Sequence, residues 1–268
     1  MRFRDLALWG GAVGSAMLVY GSMVEAKRLV VERKTLRLPD WPESLDGFKV
    51  ALLSDFHLHS GGSFELASQA IALALAEEPD MVAIAGDFVE SWKSLTTAEL
   101  EHVLEPLLLM QGAVVAVPGN HDHKGHGISA LSGVLDRLNI RLLQNEVWLH
   151  LGVSWVGIDS ANANVADPFA TMRKVKHFPA VCLWHEPDLI GWLPQGCSLQ
   201  LSGHSHGGQF IFPGGWAPMH TRNGERYPRG WYPNAPTPLY VSRGIGTTGP
   251  PARFLCPPEV AVLTLRPL

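Results

Sequence analysis

One repeated pairing constrains this chain more than anything else in it: an apolar run too short for a buried helix, followed at once by Asp, Asn or His. Lys49 to Ser54 (KVALLS) leads into Asp55-Phe56-His57, Met81 to Ala85 (MVAIA) into Gly86-Asp87, and Ala113 to Val117 (AVVAV) into Gly119-Asn120-His121-Asp122. Runs of this length bounded by turn residues read as buried strands. Between them, Ser63 to Glu78 and Thr96 to Met110 have the length and Ala/Leu/Glu content of crossover helices, with Ser63 and Thr96 as caps. The layout is β-α-β-α-β. Further strands are expected at Arg28 to Leu38, Val147 to Leu151, Ser154 to Ile158, Ala180 to Trp184, Leu199 to Ser202, Leu239 to Ser242 and Val260 to Leu265. Pro213 to Pro238, rich in Pro, Gly and aromatic residues, reads as a long ordered loop.

The pairing recurs at Trp184-His185 and at Gly203-His204-Ser205-His206. Ligands of an open α/β sheet gather beyond the carboxyl ends of its strands, so these five separated segments are expected to converge on one crevice. Imidazole and carboxylate together suit zinc, iron or manganese. Seven such side chains are too many for one tetrahedral zinc but suit two ions sharing a bridging carboxylate. Two ions ~3.5–4 Å apart are a known device for phosphoester hydrolysis, because they activate water and neutralise developing charge.

The ordered set D-x-H, G-D, G-N-H-D, an isolated H and G-H-x-H resembles the calcineurin-like metallophosphoesterases over roughly Lys49 to Gly208. The resemblance implies an α/β fold, a four-layer α-β-β-α sandwich of two mixed sheets, and two metal ions drawn from manganese, iron, zinc and cobalt. It implies Asp55, His57 and His206 on one ion, Asn120, His185 and His204 on the other, and Asp87 bridging. His121 then lies outside the metal shell as general acid, with Asp122 orienting it or raising its basicity. The sequence departs from the family pattern once: G-D-x-x-D here reads Gly86-Asp87-Phe88-Val89-Glu90, and Glu90 is expected to affect only local loop geometry.

The implied activity is hydrolysis of a phosphodiester or pyrophosphate bond in a phosphorylated small-molecule or lipid-linked substrate. His59, His123, Gln209 and Arg243 are the candidate substrate contacts. Gly207-Gly208-Gln209, Val241 to Gly246 and an apolar N-terminus look like the bacterial membrane-associated branch of the family. Some members there hydrolyse UDP-diacylglucosamine in lipid A synthesis, which is the alternative substrate. A non-catalytic metal-binding scaffold is the reading from a different class, and such a protein is expected to have replaced ligands.

Other chemistries fail on the sequence. With 21 Lys plus Arg against 25 Asp plus Glu, the net charge of −4 argues against a broad nucleic-acid surface. Cys182, Cys197 and Cys256 are odd in number and lack C-x-x-C spacing, so neither a disulfide framework nor a structural zinc site is expected. Gly203-His204-Ser205-His206-Gly207 also fits the G-x-S-x-G elbow of serine hydrolases. That elbow needs an acid and then a histidine downstream, whereas His220, the last histidine, precedes both remaining acids, Glu225 and Glu259.

Leu6 to Val24 runs 19 residues without a charge, just long enough to span a ~30 Å hydrocarbon core. Residues 1–26 are therefore expected to be a membrane anchor and residues 27–268 the metallophosphoesterase domain. Val24-Glu25-Ala26 resembles a signal-peptidase site, so export with a cleaved signal is the alternative. Lys27, Arg28, Arg33, Lys34 and Arg37 outnumber Arg2 and Arg4, which places the domain on the cytoplasmic face of the inner membrane.

Overall fold

The computed structural model describes residues 3–93, 96–125 and 127–268, the side chains of 3–10, 12 and 13 aside. In chain order the strands are β1 (Val30–Leu38), β2 (Phe48–Leu53), β3 (Met81–Ile84), β4 (Val114–Ala116), β5 (Arg141–Leu142), β6 (Glu146–His150), β7 (Val153–Ile158), β8 (Ala180–Trp184), β9 (Leu199–Ser202), β10 (Gly230–Tyr232), β11 (Leu239–Val241) and β12 (Glu259–Pro267). The helices are α1 (Phe3–Met23), α2 (Gly61–Ala76), α3 (Thr97–Leu104), α4 (Gly127–Arg137) and α5 (Pro168–Met172). One sheet has the order β1-β12-β2-β3-β4-β5 and the other β10-β11-β9-β8-β7-β6. Both are mixed: β12 runs antiparallel to β2, β6 to β7 and β10 to β11, while the remaining neighbours are parallel.

Period-two alternation along the apolar runs builds the layers. In β2, Val50 and Leu52 point into a core shared with Trp155, Val181, Leu183, Leu199 and Leu201 of the second sheet. Ala51 and Leu53 point the other way, against Ala67, Ile71 and Ala74 of α2 and Leu100 of α3. Strands β2, β3, β4, β7, β8 and β9 are buried on both faces, which is why these runs are continuously apolar rather than alternating with polar residues. The outer layer on the second sheet is thin. It consists of α5, with Met172 packed on Val156, Cys182 and Trp184, and a 3-10 turn at Pro187–Trp192.

Two helix expectations shift for local reasons. The Thr96 cap forms as expected: its Oγ1 accepts the Glu99 N–H (3.2 Å) while the Glu99 carboxylate accepts the Thr96 N–H (2.8 Å). The segment it opens is α-helical only to Leu104, and Glu105–Met110 winds on as a 3-10 helix with Pro106, which has no N–H to donate, in its first turn. The other helix begins at Gly61, ahead of Ser63. Ser63 Oγ reaches back to accept the N–H groups of His59 and Ser60 (3.0 and 3.1 Å).

The N-terminal segment forms a helix, but its expected role as a membrane span gains no support. Among the described residues no helix is long and apolar enough to cross a membrane. Four glycines and two serines dilute Leu6 to Val24, and part of that stretch lies outside the described side chains. The last turn of α1 is instead seated on the domain. Gly21 O accepts the Arg253 N–H (3.1 Å), the Tyr20 ring meets Phe254 edge-on (centroids 6.3 Å apart), and the Tyr20 hydroxyl donates to Glu25 (2.8 Å). Glycine is required at position 21 because a Cβ there would lie 2.7 Å from Arg253 O. In a free helix Gly21→Ala gains up to about 1 kcal/mol of propensity. In this docked one the methyl pushes the turn off the domain, so no rise in Tm and faster trypsin cleavage at Lys27 and Arg28 are expected. A stabilised, more protease-resistant variant would contradict the docking.

Candidate metal centre

The carboxyl ends of β2, β3, β8 and β9 meet where the two sheets face each other. Backbone hydrogen bonds stitch these ends together: Asp55 N–H to Gly86 O (2.9 Å), Gly203 N–H to His185 O (3.2 Å) and Ile245 N–H to Ser54 O (3.0 Å). The chain must reverse sharply as it leaves each strand, and five of the seven expected ligands take left-handed backbone: Asp55, His57, Asp87, His204 and His206, with φ between 45° and 70°. L-residues adopt that region at a cost, and such strain gathers at functional sites.

Three groups of side chains could each hold an ion: Asp55, His57 and His206; Asp87, His185 and His204; and His57, Glu90 and His121. The first two share no residue, and Asp87 of the second reaches His57 of the first. Its Oδ2 is 3.4 Å from His57 Nε2 and 3.2 Å from His185 Nε2. His57 Nε2 is 3.0 Å from His206 Nε2, and His185 Nε2 is 3.1 Å from His204 Nδ1. Asp55 Oδ1 is 3.5 Å from His206 Nε2.

The outer atoms of three rings settle which nitrogen faces inward. His57 Nδ1 contacts the Glu90 carboxylate (2.6 Å), His185 Nδ1 donates to Ala85 O (2.6 Å), and His204 Nε2 donates to Arg222 O (2.7 Å). Each ring therefore turns its other nitrogen toward its neighbours, where it can serve as an ion ligand. Two ligand atoms at right angles and about 2.1 Å from one ion are about 3 Å apart, which matches these spacings. Asn120 Oδ1 is buried here and meets no donor among the described residues. A buried carbonyl oxygen without a donor fits an ion ligand. The residues present thus fit metal ions.

Electrostatics follow the same geometry. Burial pushes the Asp87 carboxyl up, but His185 and His57 more than offset it and hold the group well below the usual carboxylate range. Burial pushes His185 down, and Asp87 overrides that to raise it. His206 and His204 are both pushed down, chiefly by burial and then by the neighbouring imidazoles His57 and His185 respectively.

His121 stands beside the cluster. Its N–H donates to Asp87 Oδ1 (2.8 Å), and its Nδ1 donates to Glu90 O (3.0 Å) with the Glu90 carboxylate 3.3 Å away. Asp122 does not orient it, contrary to the expectation from sequence. The Asp122 oxygens accept the backbone N–H groups of Asp87 (2.9 Å), Phe88 (2.9 Å), Val89 (3.3 Å) and Gly119 (2.8 Å). Burial and the Asp87 charge push this carboxyl up to about 7. Its work is to fasten the loop after β3 to the loop after β4.

The expected substrate contacts are mostly spent elsewhere. Gln209 holds the 248–250 loop, its amide nitrogen donating to Thr248 O (3.0 Å) and Pro250 O (2.9 Å). Arg243 faces away from the centre, its Nε 2.7 Å from Glu259. His123 Nε2 meets Asp159 (2.7 Å). Two of them line a cavity with a metal-site residue: His59 borders a space of about 190 Å³ together with His57, Ser22 and Lys27, and Gln209 one of about 170 Å³ together with His206. Conversely, Glu90 is more than a loop residue, since it carries the outer nitrogen of His57 and flanks His121. Its signal in the sequence was its place as the acid ending the second motif.

A family model, Calcineurin-like phosphoesterase, matches residues 48–230. The uncharacterized metallophosphoesterase YkuE of Bacillus subtilis is 29% identical over 96% of this chain and 91% of its own length. Phosphodiesterase YaeI of Escherichia coli is 29% identical, covering 85% of this chain and 86% of its own. An uncharacterized metallophosphoesterase of Helicobacter pylori reaches 34% over 87% of this chain, which spans 64% of that relative. Among solved structures, TT1561 of Thermus thermophilus superposes with a TM-score of 0.50 at 14% identity, covering 75% of this chain and 91% of that one, a likeness of fold.

Two variants separate the roles assigned above. Glu90→Ala removes the partner of His57 and is expected to weaken manganese binding by roughly 10- to 100-fold in calorimetry. Unchanged affinity would contradict that role. Asp122→Ala leaves four backbone N–H groups without their acceptor and is expected to lower Tm by at least about 5 °C. A Tm like that of the wild type would show the loops are held otherwise.

Proposed function

Because the chain belongs to the calcineurin-like phosphoesterase family, whose members are phosphoric ester hydrolases that use divalent metals, we propose that it hydrolyses a phosphodiester or pyrophosphate bond at a two-ion centre bridged by Asp87. The observation that carries this reading is the Asp87 carboxylate between two imidazole pairs whose nitrogens face each other at 3.0 and 3.1 Å. Asp55, His57 and His206 would hold one ion and Asn120, His185 and His204 the other. Bound there, the ions supply an electrophile for the phosphoryl oxygens and a water of lowered pKa.

The chain's own groups do the remaining work. His57, His185 and His204 are locked in orientation by Glu90, Ala85 O and Arg222 O, so the site needs little rearrangement to bind. Burial pushes the His121 imidazole down, but the Glu90 carboxylate and Asp87 outweigh burial and raise it, which favours a proton on the ring. With Nδ1 donating to Glu90 O, its Nε2 is the atom that passes a proton to the departing oxygen.

A lipid-linked substrate is a second reading with its own support. An aromatic row, Tyr20, Phe254, Phe212 and Trp216, with centroids 6.3, 6.1 and 5.5 Å apart, runs from α1 to the loop whose Met219 borders a cavity beside His206. Such a row offers apolar contact to an acyl chain.

The test is metal content together with turnover of bis(p-nitrophenyl) phosphate. The wild type is expected to carry about two ions per chain and to cleave the diester. His121→Ala is expected to keep its metal and lose roughly 10²- to 10⁴-fold in rate, whereas Asp87→Ala loses the second ion. Full activity of His121→Ala on an unactivated alkyl diester would overturn the acid assignment. Metal without turnover of any phosphoester would favour a scaffold.

A further inference from the structure

The end of α1 and the 3-10 turn that follows it (Glu25–Lys27) form one wall of the cavity of about 190 Å³ beside His57. Ser22 and Lys27 belong to this wall, His57 and His59 line the cavity from the loop after β2, and Gly246 and Thr247 line it from the loop after β11. The wall is fixed by the same loop that supports the metal centre. Arg253, wholly buried, donates its backbone N–H to Gly21 O (3.1 Å), and its guanidinium donates to the carbonyls of Arg243 (2.9 Å), Gly244 (3.1 Å) and Gly246 (3.2 Å). Gly246 N–H in turn donates to Asp55 O (2.6 Å), so one loop sets the place of the N-terminal turn and braces the backbone of an expected ligand. No carboxylate lines this cavity among the described residues, although the chain holds 25 acidic residues against 21 basic ones. Of the two basic side chains in the turn, Arg28 is spent on the buried Glu25 carboxylate (3.3 Å), which also accepts from the Tyr20 hydroxyl (2.8 Å). Lys27 has no such partner among the described residues. A cation beside a cleft without acids draws negative charge into it.

We propose, resting on the hydrolase reading, that the N-terminal segment is part of the substrate site: one arm of the ester enters this cavity, and Lys27 binds a negatively charged group on that arm. His57 belongs both to the expected metal shell and to the cavity lining, so a substrate whose phosphorus lies at the centre has this cavity next to it. An oxyanion on the arm gives the Lys27 ammonium a charge-assisted hydrogen bond, and the flexible four-carbon stem lets the ammonium follow the group it binds. A neutral arm leaves that ammonium without a partner. Lys27 acts away from the reacting bond and holds the ground state and the transition state alike, so its loss shows in KM rather than in kcat. The helix that hydropathy reads as an anchor thus carries, in the turn at its end, a residue that selects the substrate.

The test compares two chromogenic diesters on the manganese-loaded full chain, with metal content measured in every variant. One is bis(p-nitrophenyl) phosphate; the other, bis(3-carboxy-4-nitrophenyl) phosphate, adds a carboxylate to each arm, so whichever arm enters the cavity carries a charge. Each protein is scored by the ratio of kcat/KM for the carboxylated diester over the plain one, so that intrinsic reactivity cancels between proteins. Lys27→Met is expected to lower this ratio by at least about tenfold, through KM. Lys27→Arg, which keeps the charge, should hold it within about threefold. Gly21→Leu, which displaces the turn that carries Lys27, is expected to lower it as well. Lys34→Met removes an equal charge from the exposed face of β1, outside this cavity, and is expected to leave the ratio unchanged. A ratio that Lys27→Met does not move, or that Lys34→Met lowers as much, overturns the proposal, as does a wild type that cleaves only the plain diester. A metal-loaded wild type that cleaves neither overturns the hydrolase reading, and this proposal with it.

Discussion

Everything at the open end of this sandwich depends on one crowded juxtaposition: buried imidazole nitrogens that face each other at about 3 Å around the Asp87 carboxylate. Burial removes the water that would otherwise solvate these groups, so they must be satisfied by one another, by the surrounding protein or by an ion. The arrangement is held by bonds outside the cluster. Glu90, Ala85 O and Arg222 O each fix one ring, Asp55 accepts the His204 N–H at 3.0 Å from both of its oxygens, and Asp122 ties two loops together through four backbone donors.

The fold supplies the rigidity this needs. Two sheets share a core of aliphatic side chains and Trp155, so the carboxyl ends of β2, β3, β8 and β9 are fixed relative to one another by packing that involves none of the polar residues. The strand ends are where the chain turns left-handed, at Asp55, His57, Asp87, His204 and His206. Order in the core thus makes strained backbone at the rim tolerable.

How much of this was legible in the sequence follows from the range of the interactions involved. Strands β2, β3 and β4 and the ligand clusters after them were readable because an apolar run and the polar residues next to it are local signals. The layer arrangement came from the family resemblance alone, because Val50 and Leu52 face one core and Ala51 and Leu53 the other while all four are equally apolar. Contacts made across the fold were not readable. Asp122 adjoins His121 in the chain, yet its oxygens turn to the loop after β3, and Glu90 takes the place beside His121 from 31 residues away. Gln209 and Arg243 are near the crevice in topology, but the 248–250 loop and Glu259 claim their polar atoms. The short strands β5 and β10 carry too few residues to show a period. For α1, hydropathy predicted a span, whereas the seating of Gly21 on the Arg253 backbone is a tertiary contact that hydropathy does not encode.

The most direct test of the account is anomalous diffraction from crystals of the full chain grown with manganese. Two anomalous peaks about 3.5–4 Å apart, with Asp87 touching both, His57 and His206 on one and His185 and His204 on the other, are the predicted result. A single peak, or two peaks that do not share Asp87, would contradict it.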